Sequence, residues 1–375
     1  MNFQKEFKKG QLGQNRGLSL GESLLHIEKA INGTQKGKLF GVAGAPKSGK
    51  STFVNYAFIL QPYLQKLKEP LLNIEWIYYL LETNRVAVEF DFVTFFLNNE
   101  YGIKFIKLED NLMHKGSPHI ELSPDYLRGI LRADDDSFIK IDDTLLPLVK
   151  EVYTKHVVPL CGHWDESGNL LKKGMITFVT NAPNPTGMFF DIRQHAENYG
   201  EFVYSGKDPY KKIIGYTPKD PNKYTIVILD HLRKIIPEKD VISKKQIIDK
   251  TLEYQVQLRN LIDYTFIDII HLNRSLTESQ RMRQFGDMLY PTSDSIKDSA
   301  NLSEDCDYVF TLFSPNDDRY NLSQHFGLPI KDGSGNPIYP NLKTIHLVES
   351  RHCVYPQHFR VLMEGNLKNF KSFKV

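Results

Sequence analysis

The sequence lacks several features that would place it in a specialised class of proteins. Its 375 residues include only three cysteines, Cys161, Cys306 and Cys353, whose wide spacing argues against the disulfide framework of a small secreted domain. No apolar run approaches the ~18 residues that span a membrane, and the N-terminus lacks the apolar stretch of a signal peptide. These absences favour a cytoplasmic protein in a reducing compartment, without a membrane partner.

A strong excess of one charge is also absent. The chain has 47 Lys and Arg against 45 Asp and Glu, which gives a net charge of +2. Any basic surface for nucleic acid must therefore be local. A hydrophobic share of 41% and a charged share of 25% are ordinary for a globular protein, so the chain can bury a sizeable core.

Runs of β-branched and aromatic residues alternate with helical patterns along the chain. The predicted strands are residues 39–43, 74–81, 175–179, 224–230, 266–271, 308–313, 344–348 and 359–363. Helices are predicted between most of them, and Pro62 is expected to kink or end the helix after the first strand. Residues 207–223 are predicted to form a polar loop. The alternation predicts an α/β fold with a mostly parallel central sheet flanked by helices.

The clearest chemical motif follows the first predicted strand and fits G-x-x-x-x-G-K-[ST]. With the next residue, it consists of Gly44, Ala45, Pro46, Lys47, Ser48, Gly49, Lys50, Ser51 and Thr52. In such a phosphate-binding loop, backbone N–H groups and a helix N-terminus surround an anion. Lys50 is expected to contact the β- and γ-phosphates, and the Ser51 hydroxyl to coordinate Mg²⁺. The alternative is a glycine-rich turn that binds nothing.

Three further polar residues follow predicted strands. Asp230 ends an apolar strand and is expected to orient Mg²⁺ or its water, although it could simply cap a helix. Glu82 follows the second strand and could activate the attacking water as a general base, or could be a solvated charge. His271 could hydrogen-bond the γ-phosphate, or could be an ordinary histidine at a strand end.

The order of these blocks resembles the RecA-like motor domain of DnaB-type replicative helicases, in superfamily 4. Residues 43–51 are similar to the phosphate-binding loop of that family, and residues 79–83, 227–232 and 271–274 to its SLEM, IIDYL and QLNR segments. The resemblance implies Glu82 as the catalytic base. His271 stands where the family has a glutamine that senses the γ-phosphate.

Two later blocks make the resemblance more specific. Residues 293–309 resemble SDLRESGSIEQDADVV, a segment that in the family lines the pore of a hexamer and holds the backbone of single-stranded DNA. The matching positions here are Lys297, Asp298 and Ala300. Residues 347–352 resemble AKQRNG, which implies that Arg351 is an arginine finger for the ATP of the neighbouring subunit. Glu349 stands where the family has a lysine.

Basic residues near the DNA-binding block are further candidates for nucleic-acid contact. Arg281 and Arg283, which have Phe285 and Tyr290 nearby in the sequence, could grip a single strand by phosphate contact and stacking, or could be solvated. By contrast, His156, Cys161 and His163 make a poor zinc site because only one of them is a thiol.

The resemblance covers roughly residues 17–375 and implies a RecA-like ATPase domain with ATP and Mg²⁺ as ligands. It implies a hexameric ring that moves on single-stranded DNA and unwinds the duplex during replication, with a primase or loader as a further partner. Residues 1–16 are expected to be a flexible arm or linker, and an insertion is expected within residues 145–175. A short helicase of this kind suggests a phage or plasmid origin.

Two other functions remain open at the sequence level. A RecA-like ATPase could act as a DNA-binding switch or loader without unwinding, and the Glu349 and His271 replacements keep this alternative open. A degenerate subunit that binds ATP without turnover is the third.

Overall fold

The strands of the protein form one large sheet and four small two-stranded sheets. In the computed structural model, residues 3–11, 16–109, 112–206, 212–273, 279–296 and 301–374 are described. The strands among them are β1 Leu39–Gly44, β2 Ile74–Leu80, β3 Phe105–Lys107, β4 His119–Glu121, β5 His163–Trp164, β6 Leu170–Lys172, β7 Ile176–Val179, β8 Gly200–Ser205, β9 Lys212–Pro218, β10 Tyr224–Asp230, β11 Thr265–His271, β12 Tyr308–Phe313, β13 Gln324–His325, β14 Leu328–Pro329, β15 Leu342–Ser350, β16 Gln357–Glu364 and β17 Asn369–Ser372.

Helices connect the strands of the large sheet and cover its two faces. The α-helices among the described residues are α1 Phe3–Gln11, α2 Leu25–Ile31, α3 Lys50–Asn55, α4 Gln61–Lys68, α5 Arg85–Tyr101, α6 Pro124–Leu127, α7 Leu146–Val152, α8 Val158–Cys161, α9 Pro185–Tyr199, α10 Lys244–Ile262, α11 Ser279–Phe285 and α12 Asn301–Asp305. Two π-helical segments, Tyr56–Leu60 and Tyr153–Val157, join α3 to α4 and α7 to α8.

The large sheet has nine strands in the order β17-β16-β15-β12-β1-β11-β10-β2-β7. The six from β12 to β7 are parallel, whereas β15, β16 and β17 each pair antiparallel with the preceding neighbour. This confirms the predicted α/β fold with a mostly parallel sheet. The parallel strands are buried on both faces, which explains why they read as nearly continuous apolar runs in the sequence.

Alternate residues of each central strand enter two separate cores. On β1, Phe40 and Val42 pack in a core with α3, α4 and α5. Leu39 and Ala43 face the other way, into a core with α9 and α10. Because helices cover both faces of the sheet, a ligand site is expected at the carboxyl ends of the parallel strands.

The register brings the carboxyl ends of five strands together. Gly44 lies beside His271 and Leu312, and Asp230 lies beside Leu80. Leu81 N donates to the Asp230 carbonyl at 2.7 Å, so the residue before Glu82 is fixed to the end of β10. The phosphate-binding loop, Asp230, Glu82 and His271 are therefore neighbours.

The helix after the phosphate-binding loop does not end at Pro62, where the sequence predicts a kink or an end. Proline has no N–H for the carbonyl four residues earlier, which here belongs to Phe58. The π-helical segment before Pro62 accommodates this mismatch. The indole Nε1 of Trp76 donates to the freed Phe58 carbonyl at 2.7 Å and supplies the missing partner.

Three other regions differ from, or add detail to, the sequence predictions. The predicted polar loop at residues 207–223 is wrong in part, because β9 occupies Lys212–Pro218 and pairs with β8. Residues 145–175 contain α7, α8 and the β5–β6 hairpin. The N-terminal arm contains the short helix α1.

His156 and Cys161 are buried in a packed core. The ring of His156 stacks on Phe96 with centroids 4.2 Å apart, and its Nε2 lies 2.7 Å from Glu100 Oε1. Among the residues that the structure describes, no group of three or more His, Cys, Asp or Glu side chains is arranged to hold a metal ion.

Candidate active site

The loop between β1 and α3 has the close backbone approach that a phosphate site needs. A Cβ atom added at Gly44 would lie 2.3 Å from Ser48 Oγ, and one added at Gly49 would lie 2.3 Å from the Met363 sulfur. Gly49 also has a φ of 94°, which L-residues rarely adopt. Ser48 Oγ is buried without a hydrogen-bond partner in the described structure. Gly49 is thus required by its backbone conformation, a side chain at Gly44 would crowd Ser48 and Lys50, and the Ser48 hydroxyl is available to a ligand.

Lys50 is buried at the bottom of this loop. Its Nζ donates to the carbonyls of Gly44 at 3.1 Å and Ala45 at 2.9 Å. Burial lowers the pKa of Lys50 to about 8, while the nearby carboxylates of Glu82 and Asp230 oppose the shift. Lys50 is therefore mostly charged at pH 7, and its ammonium is poised to exchange carbonyl partners for phosphate oxygens.

Asp230 and Ser51 supply oxygen atoms next to Lys50. The Ser51 side chain lies close enough to the Asp230 carboxylate to favour its charged form, and Asp230 Oδ1 is buried with no hydrogen-bond partner in the described part of the chain. Asp230 is 2% exposed, and burial raises its pKa to about 6. A hydroxyl and an unsatisfied carboxylate oxygen are ligands that Mg²⁺ prefers, so these residues fit the metal.

The buried charge of Asp230 has a consequence for stability. Above pH 6 the folded chain holds a carboxylate that the unfolded chain keeps in water, whereas below 3.8, its ordinary pKa, both states are neutral. We expect Asp230→Asn to raise the free energy of unfolding at pH 8 by on the order of 2–3 kcal/mol. The gain should shrink as the pH falls through 6 toward 3.8. Urea unfolding at several pH values measures it.

Asp134 provides a control, because its pKa is shifted in the opposite direction to that of Asp230. Backbone N–H groups of Gly116 and Lys115 hydrogen-bond this exposed carboxylate and lower its pKa. Asp134→Asn should therefore leave stability at pH 8 unchanged or lower it. A loss of stability in Asp230→Asn at pH 8 would contradict the assignment of a desolvated charge there.

Glu82 and His271 face each other across the opening of the site. Glu82 Oε1 lies 3.9 Å from His271 Nε2, and the Glu82 side chain is 43% exposed. Burial and the nearby Lys50 charge lower the pKa of His271, so the imidazole is neutral at pH 7. His271 Nδ1 has no hydrogen-bond partner among the described residues. A neutral imidazole offers the same uncharged hydrogen bonding as a glutamine amide.

Sequence reasoning missed His231 as part of this site. Its ring lies over that of His271 with centroids 4.1 Å apart, and burial lowers its pKa to about 3. His231 Nδ1 accepts from Arg233 N at 3.2 Å. The neutral His231 ring therefore packs against the His271 ring. Its position directly after Asp230 was the available signal.

A cavity of about 520 Å³ adjoins the first half of the phosphate-binding loop. Residues 45–48 form one wall, and the segments after β12 and before β15 form the others. Asn316 Nδ2 donates to the Tyr339 carbonyl at 2.6 Å, while Asn316 Oδ1 is buried without a partner among the described residues. The cavity is large enough for a nucleoside and contains a free acceptor.

Arg351 lies at the amino ends of the parallel strands, whereas this site lies at their carboxyl ends. Its backbone N–H donates to the Asp307 carbonyl at 3.0 Å, and its guanidinium donates to the Glu304 carbonyl. On β12, the residue beside the phosphate-binding loop is Leu312, which pairs with Gly44. Asp307, which bonds to Arg351, is five residues of extended chain before Leu312, a distance of about 16 Å. Arg351 is thus not assembled with the phosphate-binding loop of its own chain.

The other predicted DNA contacts are only partly described. Lys297, Asp298 and Ala300 lie outside the described residues. Arg281 on α11 hydrogen-bonds the Thr292 hydroxyl, and Arg283 is exposed. Of the two arginines, Arg283 is the freer to meet a ligand.

Comparison with known proteins gives structural similarity only. No family model matches the sequence, and no curated protein sequence matches it significantly. A solved structure of a DnaB-like replicative helicase, described with its interactions with primase, matches with a TM-score of 0.62 at 12% identity. The match covers 99% of this chain and 67% of that one.

A second solved structure, an ATPase domain, matches with a TM-score of 0.61 at 12% identity and covers 99% of this chain and 96% of that chain. The fold is the RecA-like fold, and the loop after β1 has the P-loop sequence pattern. Within that class, the fold is the one found in the ATPase domain of DnaB-type helicases. Among the described residues, no helix has the length and apolar character of a membrane span.

Proposed function

We propose that this chain is an ATP-hydrolysing helicase that assembles as a ring, most simply a hexamer, moves along single-stranded DNA and unwinds duplex DNA during replication. One observation carries the proposal. The phosphate-binding loop, Asp230, Glu82 and His271 lie together at the carboxyl ends of the parallel strands, whereas Arg351 lies at the amino end of β12. A ring in which the Arg351 side of one copy faces the phosphate-binding loop of the next copy would complete the site.

Each residue of the site has a role in ATP hydrolysis. Lys50 and the backbone N–H groups of residues 44–52 hold the β- and γ-phosphates. Ser51 and Asp230 hold Mg²⁺, which neutralises charge on the phosphates when bound. Glu82 orients the attacking water and takes its proton. Arg351 of the next copy balances the charge that develops on the γ-phosphate.

A backbone connection links the ATP site to the DNA-binding block. After His271, Leu272 forms a β-bridge with Ile296, and Asn273 N donates to the Ser295 carbonyl at 2.8 Å. Residues 297–300, which carry the expected DNA contacts, follow Ile296 directly. A shift of His271 toward the γ-phosphate would therefore pull on the start of that segment. This connection supports a motor in which hydrolysis moves DNA.

Two assays test the proposed function. ATP hydrolysis is measured with and without single-stranded DNA, and strand displacement is measured on a forked duplex. The proposal predicts stimulation by DNA and ATP-dependent displacement. Absence of stimulation would exclude a motor. Stimulation without displacement would favour the alternative, a DNA-binding switch or loader.

The cavity beside the phosphate-binding loop is expected to hold the nucleoside. We expect Asn316→Ala to raise KM for ATP about 3- to 10-fold, the effect of one hydrogen bond, with kcat nearly unchanged because the contact is equal in ground and transition states. Steady-state kinetics measure both. The exposed Asn222→Ala is the matched control. An unchanged KM in Asn316→Ala would place the nucleoside elsewhere.

A further inference from the structure

The outer edge of β16 is open over half of its length. On one side β16 pairs with β15 from Gln357 to Leu362, but β17 covers its other side only from Val361 to Glu364. After β17 the chain leaves this edge, and Phe373 packs its ring on Tyr339 with centroids 5.1 Å apart. Within the described ranges, no strand pairs with the outer side of residues 357–360.

An open edge of this kind presents backbone groups to solvent. In an antiparallel pair, alternate residues direct their N–H and C=O groups to the same neighbour. The residues among 357–360 that do not bond to β15 therefore direct their N–H and C=O groups outward, where no described strand pairs with them. Such an edge can accept another extended segment as an added strand.

A cavity of about 710 Å³ adjoins this edge and separates it from α2. Its lining includes Leu24 and Ile27, in or next to α2, and the rings of Phe326, Phe359 and Phe373. An added strand would place every second side chain in this cavity. The cavity thus offers side-chain pockets beside the backbone edge.

The charges around the cavity have one sign. Its lining includes Lys29 and Arg360 together with His26 and His358, and no Asp or Glu among the described residues lines it. Arg360 uses one guanidinium nitrogen on the Phe326 carbonyl at 2.7 Å and keeps other donors. Burial lowers the pKa of His358, so Lys29 and Arg360 carry the fixed positive charge at pH 7. This environment selects acidic side chains.

We propose that the open edge of β16 binds an acidic, extended segment of a partner protein by strand addition. The partner's backbone pairs with residues 357–360, and its Asp or Glu side chains lie near Lys29 and Arg360. This surface is separate from the ATP-binding residues described above, and the inference does not depend on the proposed helicase activity.

The test uses the full chain and a fluorescent peptide of alternating Val and Glu. Fluorescence anisotropy should show saturable binding that weakens with salt. The same peptide with every backbone nitrogen N-methylated keeps the charge but loses its backbone donors, and it should bind at least about 10-fold more weakly, a loss of several hydrogen bonds. A peptide of alternating Val and Lys should not bind.

Charge reversal on α2 locates the binding surface. Lys29→Glu should weaken binding of the Val–Glu peptide about 5-fold, because an attraction becomes a repulsion. The control Lys172→Glu makes the same change on β6, in a separate two-stranded sheet. It should have no effect, and matching circular dichroism would verify folding of both variants.

Three results would overturn the proposal. Equal binding of the N-methylated peptide would exclude strand addition, and equal effects of the two charge reversals would exclude this cavity. Displacement of the Val–Glu peptide by oligo-thymidine, with loss of oligo-thymidine binding in Lys29→Glu, would instead make this surface a nucleic-acid contact.

Discussion

Glu82→Gln is expected to lower kcat for ATP hydrolysis about 10²- to 10⁴-fold, the contribution of a general base. Glutamine keeps the size of the side chain but cannot take a proton from the attacking water. KM for ATP should change little, because the proposed role of Glu82 is to take a proton from water and not to hold phosphate; its carboxylate lies 3.9 Å from His271 Nε2. Single-turnover hydrolysis and a separate measurement of ATP binding distinguish the two effects.

The control for this variant is Glu69→Gln. Glu69 is an exposed glutamate just after α4, and the whole of α3, the π-helical segment and α4 separates it from the phosphate-binding loop. It should hydrolyse ATP at the wild-type rate. A Glu82→Gln variant with near wild-type kcat would remove Glu82 from the chemistry and leave the base unassigned.

Arg351→Ala is expected to lower kcat about 10³-fold, in the range of arginine fingers. The lost group would stabilise charge on the γ-phosphate of a neighbouring subunit, so ATP binding to the variant's own loop should persist. Arg351→Lys should restore little, because an ammonium cannot reproduce the planar fork of a guanidinium. ATPase rates, ATP affinity and native mass of the variants test this prediction.

Native mass separates catalysis from assembly in that experiment. If Arg351→Ala fails to form rings, its lower kcat results from a defect in assembly. Arg351→Lys, which retains the charge, should then still assemble. The exposed Arg128→Ala is the matched control and should leave all three measurements unchanged. A normal kcat in assembled Arg351→Ala would contradict the finger.

The parallel strands could be predicted because their sequences carry one simple signal. β10 is buried on both faces, so Tyr224–Asp230 reads as an apolar run that ends in a single charge. The β8–β9 hairpin has no such signal, because it is half exposed and its residues do not alternate cleanly. The Phe58 carbonyl freed at Pro62 is satisfied by Trp76, a residue distant in the sequence, so no local pattern signals this arrangement.

The same distinction applies to the candidate site. The phosphate-binding loop, Asp230, Glu82 and His271 each stand in a short local pattern, and the sheet register brings them together as expected. Met363 against Gly49 is a long-range contact without a local signal. The roles of these residues in hydrolysis stay predictions.

The position of Arg351 could be interpreted only with the topology. Because β15 runs antiparallel to β12, Ser350 pairs with Tyr308 at the amino end of β12. The phosphate-binding loop lies at the other end, beside Leu312. The sequence resemblance predicts action on a neighbour, and the strand direction supplies a physical reason for it.

The most direct test of a site shared between subunits is the ATPase rate of an equimolar mixture of Glu82→Gln and Arg351→Ala chains. In a mixed ring, an intact loop on an Arg351→Ala subunit can meet the intact Arg351 of a Glu82→Gln subunit. The account predicts that the mixture recovers up to about one quarter of the wild-type rate, the fraction of such pairs in random assembly. A mixture that hydrolyses ATP only at the average of the two separate variants would contradict it.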